Sequence, residues 1–132
     1  MPFSYDLSRS LLRAYFENIS PTFYATMYVA LWDGDPGRDG ASGTEISGNA
    51  YARQVITWHD VAGTGDPGPL LNTVVTFPTA TPSAWGLVTH YAYLTHATIT
   101  TGYLLGTGAL TVAKTVGAGD TFRLPDSNMW SP

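Results

Sequence analysis

Apolar residues fall at Leu7, Leu11, Leu12, Tyr15, Phe16 and Ile19, in steps of four, one, three, one and three. That spacing predicts a helix between Asp6 and Asn18 with a wide apolar stripe. Asp6 or Ser4 supplies its N-cap, and Pro21 limits its end because proline cannot continue a helix. An isolated helix of this length is marginal in water and needs a surface to lie on. That surface is either its own sheet or a neighbouring subunit.

Beyond Pro21 the pattern changes to short runs rich in β-branched and aromatic residues, divided by Gly, Pro, Asp and Asn clusters. Ala25 to Trp32 is apolar at successive positions, as in a central strand packed on both faces. Ala52 to Trp58 alternates, with Gln54, Ile56 and Trp58 on one face and Arg53, Val55 and Thr57 on the other. Val74 to Phe77, Trp85 to Leu94, Gly102 to Leu110, Thr111 to Val116 and Thr121 to Leu124 bring the total to about seven strands. The expected fold is all-β: an antiparallel β-sandwich or jelly-roll-like domain with one N-terminal α-helix. It divides into a helical arm over 1–20, the sandwich over 21–125 and a tail over 126–132.

Composition narrows the function. Charged residues make up 12% of the 132 residues, about half the usual 25% share. Seventeen aromatics (four Trp, eight Tyr, five Phe) offer more area than a small core needs, which points to contacts with partners. The net charge is -4, and Lys114 and five scattered Arg form no basic stripe, so nucleic-acid binding is not expected. There is no cysteine, no apolar run long enough to cross a membrane and no signal-like N-terminus.

Candidate chemistry is sparse. Asp33, Asp35, Asp39 and Glu45 are the densest acidic group, but the spacing does not fit an EF-hand, since its twelfth position is Thr44. Turn-forming Asp in an exposed loop is the simpler reading. His90 and His96 are six residues apart in or near one strand and, if that strand is regular, stand about 20 Å apart, too far to share a metal without a sharp chain reversal. No GxSxG, HExxH, GxGxxG or P-loop pattern occurs. No catalytic residue, metal or cofactor is therefore expected. Asp33, Asp35, Arg38 and Asp39 in the first Gly-rich loop, and Asp66 in the second over 62–69, are candidate exposed contacts.

Several blocks then occur in one order: Tyr28-Val29-Ala30-Leu31-Trp32, Gly43-Thr44-Glu45-Ile46-Ser47-Gly48, Tyr51-Ala52-Arg53-Gln54, Phe77-Pro78-Thr79-Ala80, Trp85-Gly86-Leu87-Val88-Thr89-His90 and Gly119-Asp120-Thr121. Together they resemble a family of small virion proteins of tailed bacteriophages and prophages, often labelled tail fibre or virion structural proteins. The similarity runs from about Leu11 to Leu124. It departs at Pro125 to Pro132, where the family usually continues into an apolar strand. Within the blocks, Glu45 and Arg53 suggest an ion pair pinning a loop to the sheet, the alternative being an exposed, unpaired Arg53. Trp85 is a candidate core anchor, with Gly86 letting another backbone approach.

The resemblance implies a non-enzymatic virion structural protein. Capsid decoration is the leading expectation, because the chain encodes no long shaft; a tail or tail-fibre component is the alternative. A glycan-binding module stacking sugars on Trp32, Trp58 or Trp85 is a competing class. Expected partners are other virion proteins, the major capsid protein first, and further copies of the chain, with a trimer as the guess from symmetry. Leu11, Leu12, Tyr15 and Phe16 of the helix, with Met129 and Trp130 of the tail, are the candidate interface.

Overall fold

The computed structural model of the chain describes residues 3–20, 26–60, 70–98 and 103–125, of which 58–60 and 70–72 as backbone alone. Helix α1 spans Tyr5–Phe16. Ser4 is its cap, accepting the Leu7 N–H on its hydroxyl at 3.0 Å, while Asp6 sits in the first turn, where a negative charge suits the helix dipole. The helix stops short of Ile19, earlier than expected. Asn18 turns to a φ of 54°, and the Ile19 N–H folds back onto the Arg13 carbonyl at 3.3 Å. A left-handed residue closes the last turn before Pro21 is reached.

The strands are β1 (Met27–Asp33), β2 (Thr44–Glu45), β3 (Gln54–Ile56), β4 (Trp58–Asp60), β5 (Leu70–Asn72), β6 (Val75–Thr76), β7 (Gly86–Leu94), β8 (Leu104–Val116) and β9 (Arg123–Leu124). The main sheet runs β2-β1-β7-β8, with β3 also paired to β1, and every pairing is antiparallel. Two small ladders, β4–β5 and β6–β9, complete an all-β, sandwich-like fold with a single N-terminal helix.

Two expected strands are drawn differently. The Ala52 to Trp58 run breaks at Thr57 into β3 and β4, and Arg53 turns inward with Ile56 instead of lying opposite it. The two strands expected from Gly102 to Val116 are one, β8. Val88 pairs with Lys114 and His90 with Ala109, so Leu110 to Ala113 stand opposite Thr89 alone. This bulge interrupts the apolar alternation, which is why the sequence looks like two strands.

Alternation along β1 and β7 sorts side chains to two cores. On one face Val29, Leu31 and Tyr93, with Val88 from before the register shift at Thr89, join Ile46, Tyr51, Ile56, Phe77, Phe122 and Leu124 in the main cluster. On the other face Ala30, Trp32, Ala92, Leu94 and Leu104 form a smaller one. Gly40, from the loop after β1, lies against Leu104, and α1 packs beside β8. Tyr91 lies over its cross-strand partner Gly108 so closely that a Cβ there would run into the ring. Trp85 is half-buried, stacked edge-on against Tyr51 and Phe77, with its indole N–H bonded to the Asn49 carbonyl. Next to it, Gly86 has open space where a Cβ would stand and a φ of 88°, so its glycine serves backbone conformation, not the expected close approach. No described helix is long and apolar enough to cross a membrane.

Candidate functional site

The most organised polar feature lies beneath β2. Glu45 enters from β2 and Arg53 from the turn before β3, and the guanidinium forks onto the carboxylate with Nε–Oε1 at 2.7 Å and Nη2–Oε2 at 2.8 Å. The Arg53 side chain is 2% exposed and that of Glu45 9%. The remaining guanidinium nitrogen donates to the His96 carbonyl at 2.9 Å, tying in the segment after β7. Tyr51 donates its hydroxyl proton to Glu45 at 3.2 Å and accepts the Leu31 N–H at 3.0 Å. Burial pushes the Tyr51 hydroxyl far above its ordinary pKa, the Glu45 charge adding to the effect. Every strong donor in this cluster ends on the protein itself. It joins β1, β2, β3 and the end of β7, and offers no open position to a substrate.

The loop from Asp33 to Gly43 is built, not slack. Asp35 accepts the Gly37 N–H at 2.8 Å and Asp39 the Ala41 N–H at 3.0 Å, both local turns closed by a side chain. Pro36 is fully buried, and Thr89 of β7 accepts the Gly34 N–H at 2.7 Å. Arg38, expected as an exposed contact residue, is exposed and also holds the helix: it donates to the Phe3 carbonyl at 2.8 Å and the Ser8 hydroxyl at 3.1 Å, and stacks on the Tyr5 ring at 4.5 Å. Asp33, Asp35 and Asp39 remain exposed. Among the described residues no three His, Asp or Glu gather around a metal-sized space.

His90 lies in β7 but His96 lies beyond its end, and each ring bonds the threonine before it, Thr89 at 2.8 Å and Thr95 at 2.7 Å. Asp120 closes a turn by accepting the Gly117 N–H at 2.8 Å. Trp32 is buried in the smaller core, so its ring offers no platform to a sugar. Asp66, Met129 and Trp130 lie outside the described residues, and Trp58 is described as backbone alone.

On α1 large apolar side chains are exposed alongside the charged Asp6, Arg9 and Arg13. Tyr15 is 86% exposed, Phe16 84% and Leu12 58%, while Leu11 is only marginally exposed and no helix residue is fully buried. The body holds the helix at its start, through the Ser4 N–H on the Leu105 carbonyl at 3.0 Å and the Tyr5 N–H on the Arg38 carbonyl at 3.1 Å. Between α1 and the β7–β8 end a cavity of about 510 Å³ is lined by Asp6, Arg9, Arg13, Thr95 and Tyr103 among others.

Two contributors to the buried cluster escaped sequence reasoning, Tyr51 and the His96 carbonyl, as did the hold of Arg38 on the helix. Tyr51 had one available signal, its place two residues before an arginine whose partner was already suspected.

The chain is a small all-β body with one N-terminal helix, and the polar contacts of its Glu45–Arg53–Tyr51 cluster close on its own architecture. The family model described as podophage GP4 fiber I protein gp80 matches residues 2–129. The chain belongs to this family of phage fibre proteins, and so to the structural proteins of the virion. A search of curated proteins found no match.

Proposed function

We propose that this chain is a non-enzymatic subunit of a tail fibre, in place of the capsid decoration protein that its size first suggests. The observation that carries the reading is the match of a fibre family over residues 2–129. The absence of a shaft argued for the capsid only on the assumption that one chain must form a whole fibre. A fibre assembled from several proteins removes that assumption. Support for a structural role comes from the Glu45–Arg53–Tyr51 cluster, whose bonds are directed inward, and from the Thr89–His90 and Thr95–His96 pairs. The glycan-binding alternative loses its Trp32 platform to burial.

Antibody labelling of intact particles under the electron microscope tests the location. Label at the tail is expected; label distributed over the capsid overturns the fibre reading and restores decoration. Saturable hydrolysis of a bacterial surface glycan by the purified chain, lost on replacing a single carboxylate, overturns the non-enzymatic part.

A further inference from the structure

We propose that the cleft between α1 and the β7–β8 end binds a sugar acid, a hydroxylated ring that carries one carboxylate. Asp6, Arg9, Ser10 and Arg13 follow one another in steps of three, one and three, which puts them on one face of the helix. That face lines the cleft, while the larger apolar side chains Leu12, Tyr15 and Phe16 are exposed. A helix that only covered a sheet would turn its apolar side inward. Here the charged side borders a space of about 510 Å³, inside the roughly 300 to 1,000 Å³ of small-ligand sites.

The lining answers each part of such a ligand. Among the described residues Arg9 has no ionic or hydrogen-bonding partner, whereas Arg13 spends its Nε on Glu17 at 2.9 Å. One uncommitted positive charge suits a single carboxylate, which a guanidinium grips through two parallel bonds. Asp6 is placed to accept from ring hydroxyls, and the Ser10 hydroxyl both donates and accepts. On the wall formed by the body, Tyr103 is 55% exposed and, with Leu105 beside it, gives the apolar side of a sugar ring a surface to lie on. The platform is this tyrosine, not one of the tryptophans expected for that role. An inorganic anion or a simple carboxylic acid would leave the ring and the hydroxyls unused. Both walls are set before binding. Tyr103 donates its N–H to the Thr95 hydroxyl at 2.9 Å and accepts the Thr95 N–H on its carbonyl at 3.1 Å, and Ser4 and Arg38 fix the first turn of α1. A preformed cleft spares the ligand the cost of ordering it. The inference goes beyond the proposed function, because it holds wherever on the particle the chain resides.

Titration of the full-length chain with galacturonate and with glucuronate, followed by heteronuclear NMR, tests this. At least one of them is expected to shift the Arg9 side-chain and Tyr103 signals saturably. The parent sugars, which lack the carboxylate, and acetate, which lacks the ring, should bind about tenfold more weakly or worse. Arg9→Gln should weaken uronate binding by about tenfold or more, and Tyr103→Leu should weaken it as well, each with circular dichroism and melting unchanged. Tighter binding of trigalacturonate than of the single sugar would support the proposal with a polymer as the source, and equal binding would support it with a single sugar residue. No saturable shift with either uronate, acetate binding as well as they do, affinity that survives Arg9→Gln, or tighter binding of triglutamate would each overturn it.

Discussion

Arg53 carries its charge into a site with almost no water, and it is tolerated there because all three guanidinium nitrogens find oxygen. Removing one partner strands the other. Arg53→Met is expected to destabilise the fold by about 3 to 5 kcal/mol, while Arg53→Met combined with Glu45→Leu should recover most of that loss. Urea unfolding of the two variants decides it; equal losses would mean that packing, not the orphaned carboxylate, dominates. Tyr51 makes a separate prediction about pH. Its folded pKa lies above its unfolded one, so the stability it contributes is intact below about pH 10 and declines as alkali ionises the unfolded chain first. Tyr51→Phe should flatten the fall in stability above pH 10 relative to the parent, as read by denaturation at pH 9 and pH 11. The suspicion of a Glu45–Arg53 contact came from their shared motif, but burial could not be read there, because it depends on the His96 carbonyl arriving from 43 residues away.

Strand β8 shows why elements are harder to read than residues. Its run of Gly106, Thr107 and Gly108 has poor strand propensity, yet it pairs because Tyr93 and Tyr91 stand across from the two glycines. Aromatic cover of a strand glycine is a long-range relation invisible to periodicity. Gly108→Ala should therefore cost about 1 to 3 kcal/mol by driving a methyl into the Tyr91 ring, a loss that Gly108→Ala with Tyr91→Ala should not show as an added penalty. Additive melting losses in the double variant would count against the contact. The bulge of Leu110 to Ala113 likewise needs its partner strand to be visible; from sequence it splits one strand into two. Helix α1 was legible from spacing alone, since its stripe is a local pattern, and only its end was misjudged. Asn18 in a left-handed conformation competes locally with the more conspicuous Pro21.

At the scale of the whole molecule, β1 and β7 are the shared wall of two unequal cores, contributing Val29, Leu31 and Tyr93 to one and Ala30, Ala92 and Leu94 to the other. The all-β class was readable because strand-sized runs and turn clusters are local signals. The sharing of a wall was not, since it follows from which faces meet. Its consequence concerns how the molecule opens. The side bearing α1 and the Asp33 to Gly43 loop can detach while the larger core keeps both wall strands paired, so unfolding should proceed in two tiers of different free energy. Amide hydrogen exchange would register this as early deuteration of α1 and the loop and late deuteration of β1 and β7. Uniform exchange across both would indicate a single cooperative unit. A particle component with that graded behaviour has a part that can yield under load first, leaving the sheet as the last element to give way.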